Sequence, residues 1–409
     1  MNKSIMLLVG GALWAVACSA APAVDPSSVT MEQKSSGRVC ITYTLQDEAA
    51  VVTCDIRTNG VSIGAGNLTY MTGDVNRRVE PGTRTIKWRP GKAWPGHKIT
   101  DGSVTAKVTA WAMNATPDYL VVDLVTGEMR YYVDASVIPD GIGADVNKTE
   151  RMVLRKCAAA GVEWRLGGRE NEFWTTWGAW NWDEEYPRLV TLTNDFYIGI
   201  YPVTQKQYYN VVGENPSAYA EADRDVHPVE QVSWDTLRGN KVWPADGHEV
   251  GDLGFFALLR QRTGRGEFDL PLEAQWEFAA RAGNPEELYS GCRLGTWDVS
   301  ENLKLLGPHR VGQSAAVGSY QPNAWGIYDL LAHVNQYCLD YYVADTRSYD
   351  MNVGPLATDE GVKVESRVVR GGSFNHDAYQ CRICSRAGDG IWGFKSIGFR
   401  VACSVDSLR

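Results

Sequence analysis

The sequence predicts two domains of different class, an all-β sandwich followed by an α+β domain with little regular secondary structure. Three observations lead there. Between residues 26 and 115, short segments of alternating apolar and polar residues recur at regular spacing, separated by turn dipeptides. From about residue 150 onward the texture changes to single strands, short helices and long loops without periodicity. The chain also carries 15 tryptophans and 41 glycines in 409 residues, which suits loops packed on large flat side chains better than a helical bundle.

The strands of the first domain follow in order. GRVCITYTLQ places Val39, Ile41, Tyr43 and Leu45 on one face and Cys40, Thr42 and Thr44 on the other. AVVTCDIRTNG, TRTIKWRP and SVTAKVTAWAM repeat the period near two, and Asn59-Gly60, Pro81-Gly82, Pro90-Gly91 and Asp101-Gly102 mark the turns. This is the pattern of an antiparallel sandwich of immunoglobulin or fibronectin type. Residues 116–151 read as a connecting segment, with strand-like DYLVVDL and MRYYVDA followed by the loop VIPDGIGADVN. The second domain is expected over 152–404. In it, Thr204 is placed to cap a short helix beginning at Gln205. LPLEAQWEFAARAG, residues 270–283, is the clearest helix, with Leu272, Trp276, Ala279 and Ala280 on one face and Gly283 as its stop.

Composition narrows function. The formal charge is −9 and no Lys/Arg cluster appears, so no phosphate backbone is an expected partner. Residues 1–23 read as an export signal: Lys3, then an apolar run from Ile5 to Ala17 too short to span a bilayer. Ala15-Val16-Ala17 followed by Cys18 resembles a bacterial lipoprotein signal, which makes Cys18 the expected lipidation site. The alternative is plain secretion. Either way the mature chain is expected outside the bacterial cytoplasm, touching membrane only through that anchor. Export permits disulfides among Cys40, Cys54, Cys157, Cys292, Cys338, Cys381, Cys384 and Cys403, with Cys40–Cys54 across a hairpin as the expected local pair.

Six blocks then occur in order: YPVTQKQYYNVVGENPS, HPVEQVSWDTLRG, LPLEAQWEFAARAG, PNAWGIYDLLAHVNQYCLDYY, RVVRGGSFNHDAYQCR and IGFRVAC. Together they resemble the sulfatase-modifying factor family, whose founding member is formylglycine-generating enzyme. The resemblance implies a C-type-lectin-like α+β fold and two metal sites. Family enzymes hold Cu(I) between two thiolates and oxidise a substrate cysteine to an aldehyde; soft Cu(I) suits two sulfurs. Gly371, Gly372, Ser373 and Phe374 match the copper motif, and the second thiolate falls on Cys381. The first falls on His376, so one sulfur is missing and copper is not expected. Cys381 and Cys384 form a C-x-x-C, readable as a redox pair, a metal half-site or structural cysteines with Cys403 as one partner. The implied calcium ligands map to Asp329, the carbonyls of Ala332 and Val334, and Gln336 in place of an acidic residue. The alternative for Asp329 is a turn cap. A second family calcium site begins at Asn302-Leu303 but lacks a clear later acid.

The departures from the family pattern gather at 332–337 and 375–384, loops that the resemblance places along one groove. His376, Tyr379, His333, Asn335, Tyr337 and Trp392 are therefore the expected ligand-binding residues, a mix of aromatic and adaptable polar groups. The chain lacks H-E-x-x-H, G-x-S-x-G and Walker patterns. The expected function is non-catalytic binding of a protein or small ligand, as in the retroelement-diversified variable proteins of this fold. The runner-up is a copper-dependent oxidase of sulfatase cysteines using Cys381, His376 and Ser373.

Overall fold

The computed structural model describes residues 21–97, 102–169, 185–347, 349–353, 363–390 and 394–405. Most of the segment expected to be an export signal, including Cys18, lies outside the described residues, as does Trp392. No helix among the described residues is long and apolar enough to cross a membrane.

The first domain is two antiparallel sheets around one core. Strand β1 (Val39–Gln46) alternates strictly, with Val39, Ile41, Tyr43 and Leu45 buried and the residues between them half-buried. It pairs on one side with β3 (Gly82–Trp88), while β2 (Ala50–Thr58) pairs with β4 (Val104–Trp111) in the facing sheet. Tyr43, Ile56, Ile86, Trp88 and Val104 fill the space between them. This arrangement overturns the expected Cys40–Cys54 pair. The two strands belong to different sheets; Cys54 faces the core, and Cys40 alternates to the opposite side of β1. Among the described residues no disulfide joins any of the eight cysteines.

The segment 116–151 is more than a connection. Strands β5 (Tyr119–Asp123) and β6 (Met129–Tyr132) extend the six-stranded sheet of the second domain, with β5 antiparallel to β7 (Arg151–Cys157). That sheet continues through β8 (Phe196–Gly199) to the C-terminal strand Ala402–Ser404 and finally β9 (Phe268–Asp269). A four-stranded sheet follows from later sequence, with β10 (Asn335–Tyr342) between β11 (Lys363–Arg370) and Ile397–Phe399. Helix α1 (Gln205–Val212) starts as expected: Thr204 Oγ1 accepts the Gln207 N–H at 3.2 Å, and Gln207 Oε1 accepts the Thr204 N–H at 3.0 Å. After α2 (Trp234–Arg238) and α3 (Phe255–Thr263), helix α4 (Glu273–Arg281) begins at Glu273 rather than Leu270 and ends one residue earlier than expected, because Ala282 itself takes the left-handed conformation.

Helix α4 carries two carboxylates into the interior. Glu273 is 2% exposed and Glu277 1% exposed. Arg386 grips Glu273 in a two-point pair at 2.7 and 2.8 Å. Glu277 accepts Arg281 Nε and the Gly167 N–H, each at 2.8 Å, and pairs with Arg370. Arg370 also donates to the Cys384 carbonyl at 2.8 Å and lies over the Trp276 ring. Burial alone would raise the Glu273 carboxyl, yet Arg386 and Arg370 hold it below its ordinary range. Buried ions are tolerated only when paired and hydrogen-bonded, so these contacts fix where α4, β11 and the following strand sit.

Three outcomes follow from the fold. Glu277→Ala leaves Arg370 and Arg281 without their shared acceptor and is expected to cost roughly 3–5 kcal/mol in urea unfolding. Glu301→Ala removes the exposed Lys304 pair and should cost less than about 1 kcal/mol. Because no disulfide is present among the described residues, a reductant should leave the melting temperature unchanged, and thiol titration in denaturant should find the cysteines reactive.

Candidate functional site

Strand β11 delivers the chain into a turn that only glycine can make. Gly371 and Gly372 have φ of +89° and +67°. A Cβ on Gly371 would sit 2.2 Å from the Leu330 carbonyl oxygen, and one on Gly372 would sit 2.5 Å from Cys381 Sγ. The turn is thus pressed against both the 330–334 segment and the cysteine. Ser373, fully buried, bridges to His333, whose carbonyl accepts the Phe374 N–H at 3.0 Å. The backbone then reverses: His376 N–H donates to the Ser373 carbonyl at 3.0 Å, and His376 Nδ1 accepts the Ser373 N–H at 3.3 Å. A short 3-10 turn, Ala378–Cys381, closes the loop, held by Gln380 Oε1 accepting the Asp377 N–H at 3.2 Å.

The chemistry of this loop is quiet. Cys381 is fully buried, its thiol is pushed up by that burial, and its Sγ lies 3.8 Å from the Ser373 carbonyl. Burial lowers the His376 pKa, so its imidazole is neutral at neutral pH. Cys384 does not turn toward Cys381's partners. Its Sγ lies 3.1 Å from Arg382 Nη1 and 3.4 Å from Glu185 Oε2, and Arg382 and Glu185 form a two-point ion pair at 2.7 and 2.8 Å.

The expected groove residues are divided by the fold. His376 and Tyr379 reach solvent in part, whereas His333, Asn335 and Tyr337 are buried at 0%, 5% and 0% exposure. Strand β10 is buried along its whole length and His333, just before it, is buried too, so these three pack the interior and cannot meet an external ligand as placed. Burial pushes the His333 imidazole down to about 3, which keeps it neutral. In their place the structure brings Trp297 to Tyr379. Trp297 is 49% exposed, its ring lies 6.4 Å from that of Tyr379, and its carbonyl accepts the Tyr379 N–H at 3.1 Å. Arg310 pairs with Asp377 beside them. Trp297 stands in GTWDVS, a stretch without periodicity or motif, and nothing in the sequence marks it.

Residues 163–405, more than half of the chain, match the family described as the sulfatase-modifying factor enzyme 1-like domain. The chain belongs to this family. A formylglycine-generating enzyme of Thermomonospora curvata is 27% identical over 179 residues, covering 40% of this chain and 51% of that protein. The chaperone protein LppX of Paenibacillus barcinonensis is 28% identical over 186 residues, covering 37% of this chain and 64% of that protein. The chain spans about half to two thirds of the length of these curated relatives. Among solved structures, Treponema denticola variable protein 1 is 23% identical with a TM-score of 0.46, covering 62% of this chain and 95% of that one.

In this member of the sulfatase-modifying factor family the residues at the copper positions do not fit the metal. Cu(I) seeks two thiolates; here one donor is a buried, protonated thiol, the other an imidazole whose Nδ1 already accepts a backbone N–H. The calcium positions do not fit either. Gln336 Oε1 accepts Trp276 Nε1 and Arg400 Nε, each at 2.7 Å, and its amide nitrogen donates to the Asp329 carbonyl at 3.0 Å. A fully buried guanidinium on the same oxygen opposes a divalent cation there. Asp329 Oδ2 accepts the Gly318 N–H at 2.7 Å, while among the described residues no donor meets Oδ1.

Burial raises the Asp329 carboxyl from 3.8 to about 6. A carboxyl raised on folding favours the folded state below its unfolded value, and that contribution is lost as pH climbs through about 6. Asp329→Asn keeps the shape and suits the left-handed backbone at φ 54°. It is expected to leave stability nearly unchanged at pH 4 and to raise it at pH 8, by on the order of 1–3 kcal/mol. Millimolar calcium should leave the melting temperature of either form unchanged.

Proposed function

We propose that this protein is an exported binding module of the sulfatase-modifying factor family that does not carry the family's copper oxidase chemistry. Its leader, residues 1–23, directs it out of a bacterial cytoplasm, with Cys18 as the anchor point. One observation carries the reading: the paired thiolates are replaced by His376 and a sealed, protonated Cys381, with Cys384 committed to Glu185 and Arg382. The half-exposed rim of Trp297, Tyr379 and His376, with the Arg310–Asp377 pair, supplies flat aromatic area next to fixed charges, a mix suited to recognising a protein or small ligand. The name of one relative, a chaperone protein, agrees with a protein-binding role.

The alternative is a formylglycine-generating oxidase that uses Cys381, His376 and Ser373, favoured by the retained Cys381 and by the relatives that bear that name. Anaerobic titration of the purified protein with Cu(I), followed by a Cys-x-Pro-x-Arg peptide and oxygen, separates the two. The binding module is expected to show no stoichiometric copper uptake and no aldehyde by mass spectrometry. Tight copper binding with turnover, lost in Cys381→Ser, overturns it.

A further inference from the structure

A second cavity, of about 200 Å3, opens at the edge of the six-stranded sheet and shares no lining residue with the Ser373–Cys381 loop. Trp243, His248, Glu267, Asp269, Gln275 and Ser404 line it together with Leu270, Leu272 and Ala402. Asp269, 2% exposed, is saturated with donors. It accepts Arg238 Nε and Nη2 at 2.9 and 3.0 Å, His248 Nδ1 at 2.9 Å and the Leu270 N–H at 2.9 Å. Because the carboxylate only accepts, His248 Nδ1 must donate to it, and in the neutral ring the lone pair then lies on Nε2. The His248 side chain is 58% exposed and its ring lies 4.5 Å from that of Trp243, so this oriented imidazole stands at the mouth.

Glu267 is the second acceptor. It makes no ion pair among the described residues, and its Oε2 is buried without a hydrogen-bond donor. Among the described residues no lysine or arginine lines the cavity. The nearby cations Arg238 and Arg260 pair with Asp269, Arg260 also attracts Glu267, and it donates further to the Phe268 and His248 carbonyls at 2.8 and 2.6 Å. Among the described residues Trp243 Nε1, on a residue 8% exposed, likewise meets no acceptor. Buried polar atoms without partners are rare enough to need a cause. The lining therefore carries two carboxylates, one of them with an oxygen that meets no donor, beside aliphatic side chains. Its volume falls below the roughly 300–1,000 Å3 of drug-sized sites.

We propose that this cavity binds a small organic ammonium ion, held by the Glu267 carboxylate and His248 Nε2, with its short carbon chain against Leu270 and Leu272. The inference is independent of the binding reading above. Isothermal titration and thermal melting with putrescine and with agmatine test it, set against 1,4-butanediol, which keeps the chain and loses the charge, and against calcium chloride. The amines are expected to give saturable heat and a higher melting temperature, and the diol and calcium neither. Glu267→Gln should melt like the parent without ligand and weaken amine binding at least tenfold; His248→Ala, at the mouth, should weaken it less and serves as the deciding variant if Glu267→Gln does not fold. The proposal is overturned by the absence of saturable amine binding at millimolar concentration, by equal binding of the diol, by calcium displacing the amine, or by amine affinity unchanged in the variants.

Discussion

The second domain is organised around charges that have left water. Glu273 and Glu277 enter the interior on consecutive turns of α4, and Arg370, Arg386 and Arg281 meet them there. Two carboxylates and three guanidiniums in a dry interior tolerate almost no displacement, because separating any pair strands a buried charge. Arg370 is the link to the site. It ends β11 one residue before the Gly371-Gly372 turn, so fixing Arg370 on Glu277 fixes the entry of the loop that carries Ser373, His376 and Cys381. A domain with long loops and short strands thus holds its site loop with ion pairs and one aromatic face, Trp276.

The same device recurs at two other buried positions. At Gln336, the guanidinium of Arg400 and the indole of Trp276 share one amide oxygen. At Cys384, the Arg382–Glu185 pair encloses the thiol. Burial lowers the Arg400 guanidinium to about 10, which still leaves it charged at neutral pH. Both positions are in this way filled by internal hydrogen bonds. What remains open to solvent is a rim of aromatic and paired charged groups, and, elsewhere, the Glu267–His248 cavity.

How much of this was legible in the sequence differs by feature. The alternation of β1, the Thr204 cap and the apolar face of α4 were readable because each depends on neighbours within a few residues. The family blocks pointed correctly to the second domain, and the His376 substitution was visible by position. Segment 116–151 was read as a connection because DYLVVDL and MRYYVDA reveal strands but not their partners; pairing with Arg151–Cys157 is a long-range fact. The Cys40–Cys54 pair was misread for a related reason. Strand order in a sandwich decides which sheet each cysteine joins, and adjacency in sequence does not. His333, Asn335 and Tyr337 were expected on a groove, yet β10 is covered on both faces, and a strand so covered shows no alternation that would distinguish inward from outward residues.

By itself the sequence determined the family, the order of a β-rich part before an α+β part, the histidine at residue 376 and the start of the helix that Thr204 caps, since covalent order and short-range hydrogen bonding fix them. Tertiary structure alone decided which polar groups meet in the interior: Gln336 with Arg400, Cys384 with Glu185, Asp269 with His248. Those pairings join residues between 21 and 199 positions apart, and burial, which makes a charge seek a partner, exists only once the chain has closed around it.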